Sequence, residues 1–238
     1  MADSRHRIRL TAWPALALLA ATTAAGCQSP PATGENPTAP ATAGTASEAS
    51  REGCPATRPS GRHVGLTAPP EGVSWEMFKG VAVPVSSVLG PTRTTGDIAR
   101  CYAHNPAGAL LAALQIGVRI PLATRWKAVV GEQAYGDGRD GYVRARTERD
   151  AERGRRSPSE PGELLQPAGF RFDSYSDRQA VVSLAYRQPG GTLIQASTVT
   201  VRWHGGSDGD WRYELSRSPG LYRRLGNLKG YTLWEARL

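Results

Sequence analysis

Apolar and polar positions divide the chain into a sparse front part and a patterned back part. Residues 107–114 are continuously apolar, and Ile116 and Val118 prolong the run until Arg119, where a return to water is expected. The run is too short to cross a bilayer and nearly apolar all round, which predicts a buried helix. Asn105 suits the N-cap, and Pro106 falls at the first helical position, where a missing N–H costs no bond. Gly108 and the alanines around it predict close approach of a sheet. A second helix is expected from Pro121, with Leu122, Trp126, Val129 and Val130 on one stripe, ended by the Gly-Asp-Gly of residues 136–138. Residues 140–153 are polar apart from Tyr142, Val143 and alanines, as in a surface helix laced with opposite charges.

Elsewhere the period is that of strands. Residues 73–78 and 80–86 are short, rich in Val, Trp and Phe and interrupted by Pro84, so they read as an edge strand or a pair of strand pieces. Residues 89–97 read as loop. After a Pro-rich loop, residues 170–175 start a sheet. Ala180, Val182, Leu184 and Tyr186 then share one face, and Leu193, Val199, Val201 and Trp203 share another. The turns Gln-Pro-Gly-Gly-Thr and Gly-Gly-Ser-Asp-Gly-Asp separate these runs, and Trp211, Tyr213 and Leu215 close the sheet. Residues 221–234 are expected to form a short helix and a final extended piece. Helices followed by an antiparallel meander predict an α+β fold with the helices packed on one face.

The front part is unlike this. Arg5, Arg7 and Arg9 precede a short apolar stretch ending in small residues, the pattern of an export signal over residues 1–26. Its end, Ala-Ala-Gly-Cys at residues 24–27, resembles the lipobox of bacterial lipoproteins, in which the cysteine is acylated and becomes the first residue. The resemblance implies a diacylglycerol on Cys27 and a chain held at the outer face of the cytoplasmic membrane. An ordinary cleaved signal and an uncleaved anchor are the alternatives. Two buried chains are the number at which attachment becomes stable. Residues 27–62 are rich in Pro, Thr, Ala, Ser and Gly with almost no large apolar residue, a composition that cannot offset its ordering entropy by burial. They read as a disordered tether with a reach on the order of 30 Å. Residues 63–238 remain for a single domain.

With Cys27 taken, Cys54 and Cys101 are left, and an even remainder in an exported chain predicts a disulfide. The competing reading makes Cys101 a nucleophile with His104 as its base, which requires partners that meet in space. The chain carries a formal charge of +8, of which the signal segment contributes two. Such a balance fits an anionic partner and fits solubility equally well.

The segments VPVSSVLGPTRT, YAHNPAGALLAALQIGVR, VTVRWHGGSDGDWRYEL and LKGYTLW resemble an uncharacterised actinobacterial exported domain encoded near integrative or conjugative elements. The order of helices and meander is also similar to the cone-shaped nuclear-transport-factor-two-like fold, which conjugation scaffold proteins use outside the membrane. These resemblances imply helices packed on a curved antiparallel sheet and a scaffold role.

Candidate chemistry is thin. Asp208 and Asp210 flank a glycine as in calcium loops, but the further ligands and closing glutamate are missing, and a hairpin turn is expected. Arg144, Arg146, Arg149 and Arg153 stand on the predicted surface helix, a solvated face or a surface for anionic lipid or wall polymer. Were the cone interior catalytic, Asp97, His104, Tyr135 and Asp173 would be the candidates. Gly-x-Ser-x-Gly, phosphate-loop and dinucleotide patterns are missing, and the histidines show no metal spacing. The expectation is a non-catalytic binding or scaffold module with no cofactor and no metal, whose partners are the membrane, through Cys27, and an unidentified protein rather than nucleic acid. A small-ligand binder or enzyme using the cone interior is the second reading, and a binder of anionic wall or lipid groups the third.

Overall fold

The computed structural model describes residues 53–55, 65–153, 164–218 and 222–234. The expected signal, Cys27 and nearly all of the tether lie outside the described residues. Strands β1 (Ser74–Phe78) and β2 (Val81–Val85) form a hairpin across Lys79 and Gly80, both at positive φ. Positive φ at both central residues matches the twist of a two-residue hairpin. Residues 89–97, expected as loop, instead contain β3 (Arg93–Thr95), which pairs with β4 (Ile98–Arg100). Three-residue strands are too short to show a period, which is why the pattern missed them.

Helix α1 (Pro106–Leu122) is the centre of the core. The Asn105 side chain accepts from the Gly108 N–H at 2.8 Å, and Leu110, Leu111, Leu114 and Ile116 are fully buried. Each such side chain contributes roughly 1.5–3 kcal/mol by burial. Pro121 does not start a new helix. It sits in the last turn of α1, and the chain leaves at Ala123, whose N–H still reaches the Arg119 carbonyl. Nor does Arg119 return to water. Its guanidinium is buried over the Phe78 ring and donates to Gln115 Oε1 and the Asp97 carbonyl, while Gln115 Nε2 donates to the Pro84 carbonyl. One buried polar row thus ties α1 to both small hairpins. Gly108 lets the preceding loop approach rather than a sheet, because a Cβ there would meet the Ala103 carbonyl oxygen at 2.0 Å.

Helix α2 (Trp126–Gln133) buries Trp126, Val129 and Val130 and runs into β5 (Ala134–Tyr135). The Gly-Asp-Gly that follows is a close crossing rather than a helix stop: Gly138 N–H donates to the Leu215 carbonyl, and a Cβ at Gly136 would meet that oxygen at 2.6 Å. Helix α3 (Arg139–Arg153) lies at the surface.

The main sheet contains β6 (Gln166–Ser176), β7 (Gln179–Arg187), β8 (Ile194–His204) and β9 (Asp210–Glu214) as an antiparallel meander. It is mixed rather than purely antiparallel, because β5 leaves α2 parallel to β9. The tail holds β10 (Arg223–Leu225), paired with β8, and β11 (Thr232–Leu233), paired with β6; no helix forms among the described residues 222–234. Two register shifts interrupt the β6–β7 pairing, and such bulges bend a strand. Ala180, Val182, Leu184, Val201 and Trp211 meet α1 on one face of the sheet. The architecture is α+β.

Candidate functional site

Cys101 follows β4 at φ 68°, in the left-handed region that costs a non-glycine residue about 1–3 kcal/mol. Asp210, at the start of β9, holds it there: its carboxylate accepts from the N–H of Cys101 at 2.8 Å, of Tyr102 at 3.1 Å and of Trp211 at 2.9 Å. Burial raises the carboxyl pKa above the ordinary aspartate value, against those three N–H groups and Arg100, which lower it. The sulfur of Cys101 is joined to Cys54, with Cα atoms 5.2 Å apart and both residues buried. Cys54 N–H donates to the Asp208 carbonyl, so residues 53–55, within the stretch expected to be disordered, are stapled to the β8–β9 turn. A disulfide sulfur is no thiolate, which removes the nucleophile reading of Cys101. Asp208 and Asp210 share a hairpin turn but have different tasks, one lending a carbonyl and the other a buried carboxylate.

His104 is engaged elsewhere. Its ring stacks on Trp203 with centroids 3.8 Å apart and meets Trp211 edge-on, while Nε2 donates to the Asp177 carbonyl. The Trp211 indole N–H donates to the Ala103 carbonyl at 3.0 Å. Beside this aromatic stack, at the ends of β6, β7 and β8, runs an open groove of about 520 Å³ lined by Ser174, Tyr175, Ser176, Arg178, Arg202 and Trp203. Burial, then Asp177, pushes the Tyr175 phenol up to about 12.

The other candidates serve separate networks. Asp97 accepts from Arg125 N–H in the β3–β4 turn; Tyr135 donates to Glu214 at 3.3 Å on β5; Asp173 accepts from Ser183 and Arg171 on β6. On α3, Arg144 and Arg149 are exposed, but Arg146 turns inward over Trp126 and bonds Asp150 and the Pro121 carbonyl. Unlike Arg144 and Arg149, Arg146 is held against the protein by its i,i+4 pairing with Asp150 and by the Pro121 carbonyl at the end of α1. The side chain of Arg153 lies outside the described residues. A second groove, of about 560 Å³, lies between α3 and the end of β9, lined by Asp137, Asp140, Tyr142, Arg144, Leu215 and Arg217. An ion pair between Arg217 and Asp137 crosses it.

Three features were not read from the sequence: the Asp210 clamp, the buried Gln115–Arg119 row and the pairing of Arg202 with Arg212 directly across β8 and β9. Only the i,i+4 spacing of Gln115 and Arg119 on an otherwise apolar helix was available as a signal. Among the described residues no three His, Cys, Asp or Glu side chains gather to hold a metal, and no helix is long and apolar enough to cross a membrane. No curated protein and no solved structure matches the chain. A family model described as a domain of unknown function, DUF8175, matches residues 35–233, and the chain belongs to that family.

Proposed function

We propose that the protein is a lipoprotein tethered through Cys27 outside the cytoplasmic membrane, where its α+β domain acts as a non-catalytic binding or scaffold module in an envelope or conjugation assembly. The observation that carries this reading is the buried Cys54–Cys101 disulfide. Such bonds persist in oxidising compartments, and this one leaves Cys27, in its lipobox-like context, as the remaining cysteine. The lining of the core supports a binding role over a catalytic one, since α1 fills the space against the sheet with Leu, Ile and Ala side chains. The same proposal reads the domain as cone-shaped and nuclear-transport-factor-two-like, on the strength of three helices preceding a meander bent at two bulges. The test is fractionation combined with in-cell crosslinking. Wild-type chain is expected in the membrane fraction crosslinked to a reproducible protein partner, and Cys27→Ala in the soluble fraction. Retention of the variant at the membrane, or a wild-type chain that crosslinks to nothing reproducible, would overturn the reading.

A further inference from the structure

Arg202 and Arg212 are exposed and sit directly opposite each other on β8 and β9. Like charges in that relation repel, and a sheet ordinarily avoids them. The next pair along, His204 and Asp210, could have supplied a balancing carboxylate, but Asp210 is turned into the Cys101 and Tyr102 amides. The acids nearby are Glu214, to which Tyr135 donates, and Asp177, exposed beside Arg178, while Arg202 lies over the Tyr135 ring and donates to the neutral Gln179 amide at 2.9 Å. His204 packs its ring on Tyr135 at 4.8 Å and leaves Nε2 buried without a partner. Arg178, exposed on the β6–β7 turn, lines the same groove as Arg202, and Arg212 stands next to Arg202 just outside that lining.

We propose that this end of the sheet binds an acidic polysaccharide, with Arg178, Arg202 and Arg212 receiving the carboxylate or phosphate groups. Guanidinium groups match such anions in a planar fork. Between the cations the groove offers hydroxyls from Ser174 and Ser176 and aromatic carbon from Tyr175 and Trp203, a mixture suited to a ligand dense in hydroxyls. A lipid surface fits less well, because the exposed large apolar side chains, Met77, Val88, Tyr222 and Leu233, belong to other parts of the fold. Base stacking fits less well too, since His104 covers a face of Trp203. The site goes beyond the tethered-scaffold reading and holds whether or not a protein docks elsewhere.

The test uses the full chain in detergent, titrated with polygalacturonate, a phosphomannan, neutral dextran and anionic phosphatidylglycerol vesicles, with tryptophan fluorescence and co-sedimentation as readouts. At least one acidic polymer is expected to bind at least tenfold more tightly than dextran, with an affinity that falls as salt rises. Arg178→Gln with Arg202→Gln should weaken that binding tenfold or more, whereas Arg144→Gln with Arg149→Gln should change it less than twofold. Arg212→Gln should weaken binding while leaving the thermal midpoint unchanged or raised, a combination that loss of structure cannot produce. Binding of neither acidic polymer, equal binding by the groove variants, or tighter binding of the vesicles through the same arginines would overturn the proposal.

Discussion

Asp210 gathers three backbone N–H groups that would otherwise be buried without partners, and it fixes Cys101 in its left-handed turn. Asp210→Asn replaces one accepting oxygen with an NH₂ and should cost about 1–3 kcal/mol in urea unfolding, with Asp210→Ala costing more. Nothing in the sequence distinguished this aspartate from Asp208, because its role is set by amides more than a hundred positions earlier. His204 is the second informative residue. Burial, then Arg212 across the strand and Arg202 two positions back, hold its pKa below the ordinary histidine value, with Tyr135 of β5 packed on the ring. A depressed histidine contributes fully above the unfolded value of about 6.5 and loses that contribution as pH falls through and below it. Wild type should therefore lose more stability than His204→Gln between pH 7.5 and pH 5.5. Equal losses would show that the imidazole is not held neutral.

At the scale of elements, α1 was legible because everything that makes it a helix is local: a cap, a proline at the first position and a continuous apolar run. Its end was not. Pro121 reads as a start in sequence, yet the last turn accommodates it, and Arg119 reads as exposed although the Gln115 amide, the Asp97 carbonyl and the Phe78 ring enclose its charge. The period-two strands β7 and β8 were equally legible, whereas β3, β4, β5, β10 and β11 are two or three residues long and exist only through their pairing partners. Glycines separate the two kinds of information. Gly108→Ala should destabilise the fold by more than 1 kcal/mol, since its Cβ would enter the Ala103 carbonyl. Gly131→Ala, in α2 with open space around it, should stabilise by about 0.5–1 kcal/mol. Thermal unfolding of the two variants checks the pair, and similar shifts for both would mean that α1 does not lie against that loop.

For the whole molecule, the disulfide closes a loop with a sequence separation of 47 that contains both small hairpins. Loop closure of that size corresponds to about 4 kcal/mol in the chain-entropy model, and Cys54→Ala with Cys101→Ala should cost about 2–4 kcal/mol in denaturant. Fold class and the pairing of cysteines could be anticipated from the chain, because both follow from patterning and cysteine parity. The groove and its arginines could not, since Arg178 on the β6–β7 turn and Arg202 on β8 share no local motif and Arg212 comes beside Arg202 only through strand register. The proposed role depends above all on export and attachment. Intact mass of the chain extracted from membranes, measured after alkylation under non-reducing conditions, tests both together. The expected result is a chain beginning at Cys27, heavier by a diacylglyceryl group, with no alkylation until reduction frees two thiols. A chain retaining residues 1–26 with three alkylatable cysteines would contradict the proposal.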